Sequence, residues 1–237
     1  MTLTITADTL AAIKERFNTH ETVHDIGTYE ASCTMTHINI AMTGKLTNAC
    51  PDCMSLVCHR FIVELQDVIP VKRLNSPEYI AIAPYLAGTG RDHETERLAI
   101  IMNWMWTVVL PTVQPSADKG GYGAEWRAMC GSKTATAADA AGRAAWMAAW
   151  MAEAAWMAEA MWMAEAAGHA AMATDAVRIT WIMWTAKEIN ALRAALATAD
   201  AAAAAAKTQD PAFWDIVNPE ALLRELVLVS VDERELI

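Results

Sequence analysis

Apolar residues recur along most of this chain at the three- and four-residue spacing of a helix, and Gly or Pro ends most of these runs. The first run follows Thr6 and continues to about Phe17. A second ends at Gly44, and a third starts at Pro51 and continues to Ile69. Gly44 suits the left-handed residue after a helix end, and Pro51 suits a first helical turn. We therefore expect helices in this half of the chain.

Charged residues gather between Arg91 and Arg97, where the sequence reads RDHETER. General acid–base chemistry would need one of these carboxylates to be shifted toward neutral pH by burial. A helix that opens after Asp92 explains the residues more simply, because Glu94 and Glu96 in its first turn interact favourably with the helix dipole. We expect this turn to be solvated and the helix to end near Pro111.

The glycine-containing segment 115–123 (PSADKGGYG) is predicted to be a loop. The block after it, residues 135–173, consists mainly of Ala, Trp, Met and Glu. Alanine is the best helix former, so the block is predicted to be helical on propensity alone. Glu153, Glu159 and Glu165 are six residues apart and therefore lie about 120° from each other around the helix axis. With no single polar face, this helix is predicted to pack among other helices, with Trp and Met filling the gaps.

A second Ala-rich helix is predicted after a break at Thr174–Asp175, and it ends by Pro211. The fold class is therefore all-α, a helical bundle with two long Ala-rich helices in its C-terminal half. We assign residues 1–115 to an N-terminal helical part and 116–237 to the Ala/Trp/Met-rich part, within one continuous domain 1–237. A helix that is apolar on all sides must be surrounded by more neighbouring helices than a small domain supplies. We therefore expect a homo-oligomer, most simply a dimer.

The formal net charge of −10 argues against binding to nucleic acid, because a phosphate backbone is bound by clustered Lys and Arg. The longest charge-free apolar run, 98–113, is shorter than the roughly 20 residues of a membrane span and contains Asn103 and Pro111. Residues 1–8 do not resemble a secretory signal. Five cysteines, an odd number, are then expected to be free thiols in a reducing cytoplasm.

The segment Cys50-x2-Cys53-x4-Cys58-His59 is the one candidate for a metal site. Zinc sites commonly combine a Cys-x2–4-Cys pair with a distant second pair, and no second pair follows here. On a helix that starts at Pro51, Cys53 and Cys58 would point about 140° apart. We predict structural thiols, no metal and no cofactor.

None of the common catalytic or nucleotide-binding motifs occurs in the sequence, so we expect no enzyme and assign no catalytic residue. The alternative to a buried Trp/Met helix is a pocket for a flat ligand, to which His169 in the Ala-rich block would contribute. The candidate ligand-binding residues are Trp146, Trp150, Trp156, Trp162, Trp181, Trp184, His169, Arg143 and Arg178.

Several segments resemble a family of uncharacterised Ala/Trp-rich helical proteins of actinobacterial phages and related bacteria. They are His20–Glu21, the segment ACPDCMSLVCHRFIVELQDVIP, the segment IAPYLAGTGRDHETERLAIIMNWMWTVVLP, the Ala/Trp-rich half and the closing LLRELVLV. Leu56 and Gln66 depart from the family pattern, which has proline and asparagine there. The resemblance implies a phage accessory or counter-defence protein that binds a host protein in the host cytoplasm, and it supplies no catalytic residue. A nucleotide-like ligand held in a Trp/Met-lined pocket and a structural oligomer-forming role are the alternatives.

Overall fold

The structure is a computed structural model that describes residues 5–151, 154–182, 187–207 and 212–231. Within these ranges almost every element is a helix, and the all-α prediction is confirmed. The α-helices are α1 (Ala7–Thr19), α2 (Thr34–Thr43), α3 (Leu56–Gln66), α4 (Val71–Leu74), α5 (Pro77–Ile82), α6 (Glu94–Trp104), α7 (Leu110–Thr112), α8 (Gln114–Lys119), α9 (Gly123–Ser132), α10 (Ala135–Met151), α11 (Ala154–Ile182), α12 (Lys187–Ala206), α13 (Phe213–Val217) and α14 (Pro219–Leu228).

Four short elements complete the secondary structure of the described residues. Two-residue strands β1 (Glu21–Thr22) and β2 (Ala31–Ser32) pair in parallel, with Glu21 opposite Ala31. Ala83–Gly88 forms a 3₁₀ helix, and Met105–Val109 forms a π-helical turn between α6 and α7. No helix within the described ranges is long and apolar enough to cross a membrane.

The chain divides into two compact units. Unit 1 comprises Met1–Arg97 and Pro219–Ile237, and unit 2 comprises Leu98–Asn218. These boundaries differ from the one predicted between residues 115 and 116, because α14 returns to the N-terminal helices and packs on α5 and on the 3₁₀ helix.

Local capping signals set the ends of the first helices in unit 1. The Thr6 side chain accepts a hydrogen bond from the Thr9 backbone N–H, as the sequence predicts for the start of α1. Gly44 follows α2 in the left-handed conformation (φ 73°), also as predicted. The buried side chains Ile13 and Phe17 attach α1 to the core of the unit.

Helix α3 begins at Leu56, so the predicted start at Pro51 is wrong. The Ser55 side chain caps α3 by accepting from the Cys58 N–H, and the Glu94 carboxylate accepts from the N–H groups of Leu56 (2.7 Å) and Val57 (3.3 Å). Four N–H groups at a helix start have no partner within the helix, and a carboxylate is favoured there. Glu94 therefore caps a helix that lies 38 residues earlier in the chain.

Arg97 lies fully buried in unit 1, so the expectation of a solvated turn is wrong at this residue. Its guanidinium donates to the carbonyl oxygens of Thr89, Gly90, Asp92 and Leu226 and to the Ser230 hydroxyl. Arginine offers five N–H donors, and these five acceptors satisfy all of them. Arg97 thereby attaches the end of α14 to the segment that precedes α6.

His37 is another buried ionisable side chain of unit 1. Its Nε2 lies 3.1 Å from the Glu21 carbonyl oxygen and must donate to it, so the neutral ring accepts from the Ser32 hydroxyl at Nδ1 (3.2 Å). Burial lowers the pKa of His37 to about 4, and the hydrogen bond to Glu21 opposes this only in part. His37 is thus neutral at pH 7.

Unit 2 begins with short helices that pack around buried tryptophans. The indole N–H of Trp126 donates to the Leu110 carbonyl oxygen (2.8 Å), and that of Trp104 donates to the Val217 carbonyl oxygen (2.9 Å). The segment predicted as a loop contains α8, with Pro115 in its first turn and Gly120 after its last residue. Both positions are ordinary ones for these residues in a helix, so the loop prediction is wrong for 115–119.

Three long Ala-rich helices, α10, α11 and α12, make up the rest of unit 2, where the sequence predicted two. The predicted break at Thr174–Asp175 lies inside α11, where the Thr174 hydroxyl donates to the Ala170 carbonyl oxygen. α11 packs on α10 along one side and on α12 along the other. Among the residues of these helices whose side chains the structure describes, the buried ones are nearly all alanines, including Ala141, Ala167 and Ala201. Alanine faces allow helix backbones to approach closely while retaining full helix propensity.

Candidate functional site

A groove of about 820 Å³ runs between α10 and α11 and is open to solvent. We call it the α10–α11 groove. It is lined by Asp139, Gly142, Arg143, Trp146, Met161, Trp162, Ala164, Glu165 and Gly168. Volumes of roughly 300–1,000 Å³ are typical of ligand sites, and grooves of this width also accept helices.

The two glycines of the groove explain why it exists. Gly142 faces the turn of α11 that contains Ala164 and Ala167, and a methyl group on Gly142 would lie 3.5 Å from the Ala164 carbonyl oxygen and from the Ala167 Cβ. A methyl group on Gly168 would meet no atom within 4 Å. The absence of a side chain at Gly168 therefore leaves open space in the groove. No neighbouring backbone approaches closely enough to require a glycine there.

Large apolar side chains of α10 and α11 face water, and two of them, Trp146 and Met161, line the groove. The exposed fractions are 48% for Trp146, 61% for Met147, 42% for Met161 and 54% for Met172. The prediction that Trp and Met fill gaps inside a bundle is therefore wrong for these four residues. The physical reason is that alanine faces bring the helices too close together for a Trp or Met side chain, so the large residues point away from the shared faces.

Charged groups of both signs lie in and beside the groove. Asp139 and Glu165 contribute two carboxylates, and Arg143 contributes one cation. Glu165 has the Lys207 ammonium 3.5 Å away and His169 Nε2 3.8 Å away. Asp139 and Arg143 are exposed, and neither makes a hydrogen bond or ion pair to another residue in the described part of the chain. Arg143 and Asp139 are thus available to a partner.

His169 lies behind the groove and connects α11 to α12. Its Nδ1 is 3.6 Å from an Asp200 carboxylate oxygen, and this buried nitrogen has no hydrogen-bond partner among the described residues. The side chain is 21% exposed and does not line the groove. Its Nε2 lies 3.8 Å from Glu165, which lines the groove.

Of the predicted ligand-binding residues, the structure brings together Arg143, Trp146 and Trp162. Trp184 lies outside the described residues. Three further tryptophans and one arginine lie in α10 and α11 at positions whose side chains are outside the described part of the structure: Trp150, Trp156, Trp181 and Arg178.

Sequence analysis missed Asp139, Met161 and Glu165 as site residues. A signal for them exists, because Asp139, Gly142 and Trp146 repeat at three- and four-residue spacing, and so do Met161, Glu165, Gly168 and Met172. Each set lies on one helix face. The sequence does not specify the antiparallel register that places these faces of α10 and α11 beside one another.

The cysteines form a separate group in unit 1. Cys53 and Cys58 are buried and Cys50 is half-buried, and all three are free thiols. Burial raises the pKa of Cys50 to about 11 and that of Cys58 to about 12, so these thiols stay protonated and unreactive at pH 7. His59 is directed away from them, toward the Asn48 carbonyl oxygen (2.7 Å). Within the described ranges, no three His, Cys, Asp or Glu side chains are grouped as metal ligands.

Comparison of the chain with family models, with curated proteins and with solved structures finds no match in any of the three. The resemblance to phage proteins therefore stays a prediction.

Proposed function

We propose that this chain is a non-enzymatic helical binding protein that acts through protein–protein interaction, with the α10–α11 groove as its contact surface. The observation that carries the proposal is the exposure of Trp146 and Met161, two large apolar side chains that line one groove. Clustered exposed apolar side chains mark interaction sites in soluble proteins. In the phage setting that the resemblance implies, such a surface would bind a host protein.

The residue types of the groove match those that dominate binding energy at protein interfaces. Trp and Arg are over-represented among interface hot spots, and Trp146 and Arg143 lie one turn apart on α10. Methionine adapts its shape to different partners, which suits Met147 and Met161. Gly142 and Gly168 have no side chains, so the centre of the groove has room for a side chain of a partner protein.

Affinity capture with matched variants tests the proposal. The full chain, its Trp146→Ala variant and its Ile216→Ala variant are each used to capture proteins from a host lysate, with crosslinking and quantitative mass spectrometry. Trp146 and Ile216 are both exposed in unit 2, and only Trp146 lines the groove. We expect at least one protein to be captured by the unmodified chain and by Ile216→Ala and to be lost with Trp146→Ala.

The same proteins captured by all three forms would contradict a role for the groove. Circular dichroism of the variants provides the control for folding. Because Trp146 is about half exposed, its truncation is expected to change the free energy of unfolding by less than about 1 kcal/mol.

A second candidate function is sequestration of a small flat ligand, which the two tryptophans that line one groove favour. The charge of the groove opposes a nucleotide-like ligand, because two carboxylates accompany the single guanidinium that would neutralise a phosphate. An uncharged or cationic aromatic compound fits better. Titrating the intrinsic fluorescence with such compounds and with nucleotides tests this function, and a flat response to every compound would rule it out.

A further inference from the structure

Three methionines of the described residues are exposed, and all three lie on the two helices that form the α10–α11 groove. The exposed fractions are 61% for Met147, 42% for Met161 and 54% for Met172, and of these three Met161 lines the groove. Met163 lies two residues from Met161 on the same helix and is fully buried. Helix α11 thus carries an accessible and an inaccessible thioether within one turn.

The thiols, which are the other sulfur groups that oxidants attack, are poorly accessible in this protein. Cys33, Cys53 and Cys58 are buried, and Cys50 and Cys130 are half-buried. The thiolate is the reactive form, and burial raises the pKa of Cys50 and of Cys130 to about 11. These two thiols therefore stay protonated at pH 7. Methionine sulfur needs no deprotonation, so its oxidation depends on whether the oxidant reaches it.

We propose that Met161 is a modification site at which hydrogen peroxide regulates the α10–α11 groove, an inference that rests on the proposed binding function. A lone pair of the thioether sulfur attacks one peroxide oxygen, the O–O bond breaks, and a proton transfers to the departing oxygen. The products are methionine sulfoxide and water. The sulfur is oxidised by two electrons, and the peroxide is reduced by the same two electrons.

Oxidation changes the groove because the sulfoxide replaces an adaptable apolar side chain with a polar one. Trp146 and Met161 are exposed apolar side chains that line the groove, so a partner that covers them must also cover the new oxygen. A buried acceptor that lacks a donor weakens binding, and we expect about a tenfold loss of affinity.

Peptide mapping by mass spectrometry tests the site without any partner. The full chain is treated with hydrogen peroxide at pH 7 for increasing times, then unfolded and alkylated to count the remaining thiols. We expect sulfoxide to form at Met161 at least about tenfold faster than at Met163, with the cysteines still alkylated when Met161 is largely oxidised. In guanidinium chloride the two rates are expected to become equal, because both sulfurs are then exposed. Equal rates in the folded protein, or loss of thiols before oxidation of Met161, would overturn the site.

Affinity capture tests the regulation. The protein is oxidised, freed of peroxide and compared with untreated protein in the lysate capture that depends on Trp146. We expect oxidation to reduce that capture about tenfold and a methionine sulfoxide reductase to restore it.

Two variants assign the effect to one sulfur. Met161→Leu removes the thioether and keeps a similar apolar volume, so we expect peroxide to leave its capture at the level that this variant shows before treatment. Met172 is exposed on the same helix and is not among the residues that line the groove, so Met172→Leu is the matched control. Peroxide is expected to reduce capture by Met172→Leu as much as by the unmodified chain. Circular dichroism before and after oxidation provides the control for folding.

The other outcomes separate this inference from the function on which it rests. Capture that persists when Met161 is oxidised, or that peroxide reduces equally in Met161→Leu, would overturn the regulation and leave the proposed function intact. If Met161→Leu captures nothing before treatment, the time course decides, because capture must then fall in step with sulfoxide at Met161 rather than at Met172. No Trp146-dependent capture before oxidation would contradict the proposed function, and the mapping would still decide whether Met161 is the oxidised residue.

Discussion

The two units of this protein hold their helices together by different means. Unit 1 buries ionisable and polar side chains in a hydrogen-bonded interior, with Arg97 and His37 as its main examples. In unit 2 the described buried residues of the three long helices α10, α11 and α12 are nearly all alanines, and the large side chains Trp146 and Met147 lie outside. A polar interior specifies one arrangement because every donor needs its acceptor, whereas an alanine interior depends on close approach along whole helix faces.

The two units also differ in the role that we assign to each, because only unit 2 carries a proposed binding surface. In unit 1 the buried side chains of Arg97 and His37 have hydrogen-bond partners, and burial raises the pKa of Cys50, Cys53 and Cys58. We assign unit 1 no site. In unit 2 the large side chains of Trp146 and Met161 lie at the surface, where they line the α10–α11 groove. The same packing that holds these helices together thus creates the surface that we propose for binding.

The largest effect is expected where the polar interior of unit 1 is broken. Arg97→Met removes all five donors and leaves four carbonyl oxygens and the Ser230 hydroxyl without them, which we expect to cost about 4 kcal/mol of unfolding free energy. Hydrogen exchange followed by mass spectrometry measures this for each unit separately. The amides of unit 1 should lose protection much more than those of α10 and α11.

Arg127→Met is the control for that substitution. Arg127 is exposed and its ion pair with Asp118 (2.8 Å) lies at the surface, so its loss is expected to cost less than about 1 kcal/mol. An Arg97→Met protein as stable as Arg127→Met would show that the buried guanidinium is not needed to hold α14.

The next effect depends on pH. The pKa of His37 is lowered to about 4 in the folded state from 6.5 for a solvent-exposed histidine, so the unfolded chain binds a proton first as the pH falls. Stability from this group is complete above pH 6.5 and is lost as the pH falls toward 4, by about 3 kcal/mol in all. Guanidinium unfolding between pH 7 and pH 4 measures the loss.

His37→Gln isolates this contribution from the carboxylates and from His59, whose pKa burial also lowers. The variant is expected to be less stable at pH 7, since the ring of His37 packs against Phe17, and to depend less steeply on pH between 6.5 and 4. Parallel pH profiles for the two proteins would contradict the assignment.

The smallest effect is expected from the alanine interior of unit 2. Ala167 is fully buried against Gly142, so Ala167→Leu forces α10 and α11 apart and should cost about 2 kcal/mol. Met172→Leu, on the exposed face of the same helix, should change stability by less than about 0.5 kcal/mol. Exchange protection lost in α10 and α11 and retained in unit 1 would support independent interiors, and equal loss in both units would contradict them.

The sequence predicts local features of both units and misses those that depend on distant residues. Helix propensity and capping are local properties, so the helical state of the Ala-rich region and the caps at Thr6 and Gly44 were evident from the sequence. The start of α3 was misplaced because Glu94, which caps it, lies 38 residues away in the chain. The burial of Arg97 was missed because its acceptors come from residues that precede and follow the whole of unit 2 in the chain.

The candidate site was predicted in part for the same reason. Arg143, Trp146 and Trp162 stand out as residue types typical of binding, so sequence alone selects them. The roles of Asp139 and Glu165 depend on which turn of α10 faces which turn of α11. Neither spacing nor composition contains that register.

The arrangement of Arg97 has a consequence for synthesis on the ribosome. Its guanidinium has acceptors at Thr89, Gly90 and Asp92, which emerge before it, and at Leu226 and Ser230, which emerge only after all of Leu98–Asn218 has been made. At roughly 5–20 residues per second, about ten seconds separate the two. During that interval unit 2 has time to fold on the nascent chain, while unit 1 waits for its last helix. Translation therefore imposes an order in which the alanine-packed helices come first and the polar interior is completed last.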